Sequence, residues 1–425
     1  MSPALRPQTV IADKRDGRSL STAAIDATVA ALCEGQIGPE QIGAFLMACY
    51  LRGLDDRETR DLTLAMARSG ARLAWDRADL RGPVVDKHSN GGVGDVVSLV
   101  LAPMLAACDC HVPMISGHAL GPMGGTLDKL ESVPGLSTAL TLERMQAQVR
   151  REGLAIGAAT DALVPADRIL YDARDVTATV TSLPLIVASI LSKKLAEGLD
   201  ALALDVKHGS GAVFRQQADA ATLAAALERV AMAAGLRCRV TLSPMAEPLV
   251  PVAGDALELA YAIAYLKGAT RSERLHRLVL ELGAGLLAAV GVPDAEVRLG
   301  RALADGSALE RLAALVSAQG GPSELADDPW RILPAAPVRQ TVTASRSGVV
   351  SAVDAGRIGR LVLGLGGGRA QVGDVVDHAV GVSDLVAVGD PVHARDPLGR
   401  VHARTPIEAD DAAAALTAAV TIEDG

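Results

Sequence analysis

The chain has 425 residues, a formal net charge of −9 and 49% hydrophobic residues, enough for two or three globular domains. An acidic balance without a basic cluster argues against nucleic acid as a partner, and no run reaches the roughly 20 uninterrupted apolar residues of a membrane span. Met1 to Arg18 has no apolar signal core, and the five cysteines (Cys33, Cys49, Cys108, Cys110, Cys238) lie mostly in apolar stretches, so a cytoplasmic protein with reduced thiols is expected.

In chain order, residues 21–66 read as short helices. Ser21 or Thr22 can cap a run with Ile25, Val29 and Leu32 at helical spacing. Ala44–Leu51 and Asp56–Ser69 follow as further helices. From Pro83 the pattern becomes strand, glycine loop, helix: Val84-Val85, a loop over Asp86–Asp95, then a helix over Val96–Ala107. Val112–Ile115 is a strand leading into a second glycine loop that ends at Thr126. A helix at Thr141–Glu152 and a strand at Leu154–Ala158 come next, and Ala162–Glu197 is mostly helical. Ala201–Val206 is a strand, Lys207–Ala212 a third glycine loop, Asp219–Gly235 a helix, Arg239–Leu242 a strand and Ala256–Leu266 a helix. Strands alternating with helices imply a mainly parallel sheet with ligands at the strand C-terminal ends, and three glycine loops after strands point to one shared site. Pro322–Pro337 reads as a boundary. Beyond it the short runs Gly348–Val350, Leu361–Leu363, Ala379–Val382 and Asp390–His393 suggest a small β-rich domain. A carrier of lipoyl or biotinyl type needs an attachment lysine, and none follows Lys267.

Of the 41 Lys and Arg residues only seven are lysine: Lys14, Lys87, Lys129, Lys193, Lys194, Lys207 and Lys267. A compact ammonium suits phosphate oxygens. The segment Asp86-Lys87-His88-Ser89-Asn90-Gly91-Gly92-Val93-Gly94-Asp95 combines backbone N–H groups free to approach an anion with the positive end of the following helix. Lys87, Ser89 and Ser98 add donors. His88 can act as an acid toward a neighbouring substrate or serve as a structural hydrogen-bonder. In the second loop Ser116 and Thr126 are donors of suitable size, while Asp128 and Glu131 fit the start of a helix better than catalysis. If residues 185–197 form one helix, Ser189 and Lys193 share a face at i and i+4. With Arg174 they can present donors to a planar, acceptor-rich base edge, with Leu120, Val180 and Ile186 packing on its faces, or they can form an exposed polar face.

Together the segments DKHS-x-GGVGD, GGTLDKLES, RDVTATV and SILSKKLAEG resemble the thymidine phosphorylase / pyrimidine-nucleoside phosphorylase family, and the resemblance runs from Lys14-Arg15-Asp16-Gly17 to the C-terminal domain. It implies an α/β fold class: a helical domain (1–70 and 163–197), an α/β phosphate-binding domain with a mainly parallel sheet (71–162 and 198–335), and a small C-terminal β-rich, α+β domain (340–425). It implies a homodimer and phosphorolysis, in which nucleoside plus phosphate gives free base plus α-pentose 1-phosphate. Lys87, Ser89, Ser98, Ser116 and Thr126 would hold phosphate. Arg174, Ser189 and Lys193 would hold the pyrimidine, with Tyr171 nearby, and His88 would contact the base carbonyl and assist its departure. Phosphate is a co-substrate and no cofactor is implied.

Several positions depart from the family pattern. Asn90 stands for Thr, His118 for Arg, Pro122-Met123 for His-Thr, His208 for a small apolar residue, Val213 for a Phe beside the base, and Asp255 for Asn. Val96 and Tyr261 occupy positions where some relatives ligate a cation, so no metal is expected. Thymidine is the favoured substrate. A uridine-type or modified pyrimidine nucleoside is the alternative, ahead of a phosphoribosyltransferase-like enzyme or a non-catalytic nucleoside-binding relative.

Overall fold

A computed structural model describes residues 6–119, 121–371 and 373–424. The first layer is helical: α1 (Pro7–Arg15), α2 (Thr22–Cys33), α3 (Pro39–Arg52) and α4 (Asp56–Ala67). Their starts are written locally. Ser21 caps α2 by accepting the Ala24 N–H, and Asp55 and Glu58 form a reciprocal capping box on α4. Helix α3 begins earlier than the apolar run Ala44–Leu51 suggests, because Pro39 occupies its first turn.

The α/β region follows with β1 (Val85–Ser89), α5 (Val97–Ala107), β2 (Val112–Ser116), α6 (Thr126–Glu131), α7 (Leu142–Glu152) and β3 (Leu154–Ala158). The chain then returns to the helical layer with α8 (Pro165–Val176) and α9 (Leu183–Ala196), which share a buried core with α2–α4. It re-enters the sheet with β4 (Ala201–His208), α10 (Gln217–Ala233), β5 (Arg237–Pro244) and α11 (Asp255–Leu266). Three helices that sequence reading did not delimit follow: α12 (Glu273–Ala289), α13 (Ala295–Ala304) and α14 (Ser307–Ala318).

Strands β1, β4 and β5 pair in parallel in the order β1-β4-β5, and β2 pairs in parallel with β3. A parallel bridge between Val84 and His111 joins the two sets. The spatial order is therefore β3-β2-β1-β4-β5, and connections leave β1 in one direction and β4 in the other. The crevice beyond the C-terminal ends of β1 and β4 is the topological switch point, where ligands bind in open parallel sheets.

The C-terminal region contains β6 (Val338–Thr343), β7 (Gly348–Val353), α15 (Ala355–Gly364), β8 (Gly381–Ser383), β9 (Pro391–Val392), β10 (Pro397–Ala403), α16 (Pro406–Ala419) and β11 (Val420–Glu423). Its sheets are antiparallel, in the orders β6-β10-β8 and β11-β7-β9. Leu361–Leu363, expected as a β run, instead lies in α15. A run of three apolar residues is too short to separate a strand from one helical face, and the Asp354 cap, which accepts the Arg357 N–H, decides for helix. Two further local expectations are corrected. Lys207 and His208 belong to β4 rather than to the third glycine loop, and Asp86–Ser89 continue β1 rather than open the first.

Candidate active site

The alternation of β1 sends Lys87 and His88 to opposite faces of the sheet. On the Lys87 side lies a cluster of buried charges. Lys87 is 2% exposed, and its Nζ donates to Ser98 Oγ at 3.3 Å, while its nearest carboxylate oxygen, on Asp205, is 3.9 Å away. Lys207 is fully committed by contrast, at 2.5 Å from Asp205 and 3.5 Å from Asp95. Lys129 pairs with Glu258 at 2.8 Å and donates to the Asp95 carbonyl at 2.6 Å. Burial pushes the Lys87 pKa down, and Asp95 and Asp205 oppose the shift without cancelling it. Burial would raise the Asp95 pKa, but the charges of Lys207, Lys87 and Lys129 hold it well below the usual carboxylate range.

The first loop meets the second loop and the C-terminal end of β4 here. The Asn90 side chain exchanges hydrogen bonds with the Lys207 backbone at 2.8 and 3.2 Å, and Gly92 bridges Gly124 of the second loop. Gly92 lets the first loop lie close against the Met245 and Lys207 side chains. A Cβ on Gly94, at φ +63°, would lie 2.8 Å from the Val252 carbonyl, so position 94 favours glycine strongly. Ser89 Oγ reaches Asp95 at 3.4 Å, and Ser98 stands in the first turn of α5. Ser116 ends β2 and Thr126 opens α6, both half-buried. Asp128 and Glu131 hold structure: Asp128 accepts the Ala119 N–H at 2.7 Å, and Glu131 accepts His118 Nε2 at 2.8 and 3.0 Å. The Glu131 hydrogen bond raises the His118 pKa.

On the opposite face, α9 of the helical layer inserts Lys194 against β1. Its Nζ donates to Asp86 at 2.5 Å, to Glu197 at 2.7 Å and to the Ile115 carbonyl at 2.9 Å. Burial pushes the Glu197 carboxyl well up, against the pull of the Lys194 charge. Removing that ammonium strands buried carboxylates. Lys194→Met should lower stability by about 3–5 kcal/mol, read as a fall in Tm, with the deficit narrowing as falling pH protonates Glu197, whose pKa burial raises. His88 lies on this face, partly buried. Burial, followed by the charges of Lys194, Lys193 and Lys87, pushes its pKa well down, so its imidazole is neutral near neutral pH.

Ser189 and Lys193 share one face of α9, with Nζ to Oγ at 3.2 Å, and Lys193 also pairs with Asp167 of α8. Arg174 is 3% exposed. Its Nη atoms donate to the Val180 carbonyl at 2.5 Å and the Leu185 carbonyl at 3.3 Å, and its buried Nε has no partner among the described residues. The guanidinium thus grips the turn between α8 and α9, and lies 5.7 Å from the Tyr171 ring centroid. Tyr171, Val180 and Val213 are exposed and Ile186 is half-buried; Leu120 lies outside the described residues. Phe214 packs instead on the apolar cluster formed by β4, α9 and α10. Sequence reading gave no role to Asp95, Asp205 or Asp167, and it singled out Lys207 without its carboxylate partners. Only Asp95, at the end of the GGVGD run, carried a local signal; the others come from separate elements.

Residues 8–70 match the glycosyl transferase family helical bundle domain, 81–309 the glycosyl transferase family a/b domain, and 349–423 the pyrimidine nucleoside phosphorylase C-terminal domain. The chain is 47% identical over 421 residues to a thymidine phosphorylase of Burkholderia lata, covering 98% of this chain and 95% of that protein. It is 44% identical over 420 residues to a thymidine phosphorylase of Mesorhizobium japonicum, covering 98% and 95%. The crystal structure of anthranilate phosphoribosyltransferase (TrpD) from Thermus thermophilus shares the fold, with TM-score 0.59 at 21% identity over 73% of this chain and 99% of that one. With the helical bundle, the parallel sheet and the C-terminal domain all matched in order, the chain belongs to the thymidine phosphorylase / pyrimidine-nucleoside phosphorylase family.

Proposed function

We propose that the chain catalyses phosphorolysis of thymidine, giving thymine and 2-deoxy-α-D-ribose 1-phosphate. The observation that carries this reading is Lys87: a buried ammonium whose only side-chain hydrogen-bond partner among the described residues is a serine, at the switch point of the sheet. A buried cation without a carboxylate in hydrogen-bond range is costly until an anion completes it. Phosphate held by Lys87, Ser89, Ser98, Ser116 and Thr126 completes it. Arg174, Ser189 and Lys193 hold the pyrimidine, with Tyr171, Val180, Ile186 and Val213 around it. Cleavage of the C–N bond develops positive charge on the sugar, which phosphate stabilises, and negative charge on the base. The Arg174 and Lys193 cations stabilise the base, and neutral His88 donates a hydrogen bond to its carbonyl. A neutral imidazole acts here as a donor rather than as the source of a full proton. Holding both reactants for in-line attack supplies the positional part of the acceleration.

The same proposal takes no cofactor and no resident metal, and assigns neither nucleic acid nor membrane as a partner. Among the described residues no helix is long and apolar enough to cross a membrane. A cytoplasmic homodimer is proposed, with the exposed Met47, Tyr50 and Leu51 of α3 as its apolar contact. Light scattering measures that mass.

A second reading, phosphorolysis of a 5-substituted or otherwise modified pyrimidine nucleoside, is favoured by Val213. It is 51% exposed while Phe214 is packed away, which leaves room beside the base. Thymidine, uridine, deoxyuridine, cytidine and 5-substituted analogues, each assayed with phosphate for release of free base, separate the two. Val213→Phe should lower the thymidine KM and sharpen rejection of bulky analogues, since an aromatic contact of this kind is worth about 1–3 kcal/mol. An unchanged 5-substituent profile would place Val213 outside the pocket.

A further inference from the structure

The C-terminal region grips two of the three glycine loops, backbone against backbone. On the third loop, Gly356 N donates to Ser210 Oγ at 3.4 Å, and beside it Ala355 N donates at 2.9 Å to the carbonyl of Ala246, just beyond β5. A Cβ on Gly356 would sit 2.4 Å from the Ser210 carbonyl. On the second loop, a Cβ on Gly359 would sit 2.2 Å from the Pro122 carbonyl, and the Gly121 N–H donates to the Arg369 carbonyl at 2.8 Å. Side chains pair across the same seam: the Arg369 guanidinium with the Asp128 carboxylate, which is 2% exposed, and His378 Nδ1 with Asp255 at 2.8 Å. The other Asp128 oxygen takes the Ala119 N–H at 2.7 Å. The Asp128 carboxylate therefore ties the Arg369 side chain to the loop between Ser116 and Thr126, beside the backbone bond at Gly121. That loop contains Gly117, Gly121, Gly124 and Gly125, and so many glycines make its conformation costly to hold without an outside anchor.

We infer that Arg369 is a positioning residue for the phosphate co-substrate: through Asp128 it sets the second loop so that Ser116 and Thr126 converge with Lys87. The inference rests on the phosphorolysis reading above. It also gives the C-terminal region a part in the reaction. The three carboxylate and imidazole groups at this seam, His118, Asp128 and Glu131, bring ligand atoms within 4.8 Å of one another. Each is already taken by a protein partner, so they read as anchors and not as a metal site.

The test is steady-state kinetics with both substrates varied, on wild type, Arg369→Ala, Arg369→Lys and Asp128→Asn. Loss of loop placement should raise the phosphate KM by on the order of 10- to 100-fold while the nucleoside KM moves by less than about twofold. Arg369→Lys, which keeps the charge without the planar fork, should fall between. Guanidinium ion added at low concentration should restore part of the Arg369→Ala phosphate affinity and leave wild type unchanged. If Arg369→Ala does not fold, the KM split in Arg369→Lys decides. Equal changes in both KM values that track a fall in Tm, or no change in either, would overturn the inference while the wild-type phosphate requirement stands. Base release by wild type without phosphate would overturn the phosphorolysis reading itself, and the inference with it.

Discussion

Lys87→Ala should abolish phosphate-dependent base release or raise the phosphate KM by one to two decades, because a charge-assisted contact is worth roughly 1.5–3 kcal/mol. The effect is specific to this lysine. Lys207 and Lys129 sit in the same cluster with carboxylates at 2.5 and 2.8 Å, whereas the nearest carboxylate oxygen to Lys87 is at 3.9 Å. Lys87 is the ammonium with attraction left to give. Its pKa is depressed by burial, so phosphate affinity should weaken as the pH rises through that lowered value, before an ordinary lysine would lose its proton. Phosphate binding restores a counter-charge and pulls the pKa back up. Arsenate should replace phosphate with net hydrolysis of the nucleoside. Full-rate base release by Lys87→Ala at unchanged phosphate concentration would remove Lys87 from the anion site.

Arg174→Ala should lose most nucleoside turnover and most of the thermal protection given by free thymine. Ligand protection follows mass action and reaches about 2.7 kcal/mol at a hundredfold excess over Kd. Loss of one charge-assisted contact weakens Kd by roughly one to two decades, which erases most of that protection at the same thymine concentration. The side chain also holds the α8–α9 turn through the Val180 and Leu185 carbonyls, so the variant should show a broader loss than Lys193→Ala, in which that turn stays anchored. Equal thymine protection of wild type and Arg174→Ala would show that Arg174 does not touch the base.

Much of the architecture is local and therefore legible. The Ser21 cap, the Asp55–Glu58 box and the strand-loop-helix rhythm from Pro83 onward depend on neighbours a few residues apart. The parallel sheet follows from that rhythm, because parallel strands require crossover helices. Leu361–Leu363 went the other way, since so short an apolar run fits either period and the Asp354 cap settles it.

The scarcity of lysine is the most instructive case. The sequence alone marks Lys87, Lys129, Lys193, Lys194 and Lys207 as worth attention and, through their motifs, assigns Lys87 to the anion and Lys193 to the base. It does not separate them by partner. In the fold, Lys14, Lys87, Lys129, Lys194 and Lys207 are all buried, and four of them are neutralised by carboxylates brought mostly from other elements: Glu58, Glu258, Asp86 with Glu197, and Asp205. Only tertiary packing decides that Lys87 is left short of a counter-ion, that Arg174 is turned onto its own loop, and that Arg369, 241 residues from Asp128 in the chain, closes the second glycine loop from outside. The physical reason is range. Caps, periodicity and glycine turns act over a few residues and can be read from one segment, whereas the energy of a buried charge depends on which distant residue reaches it.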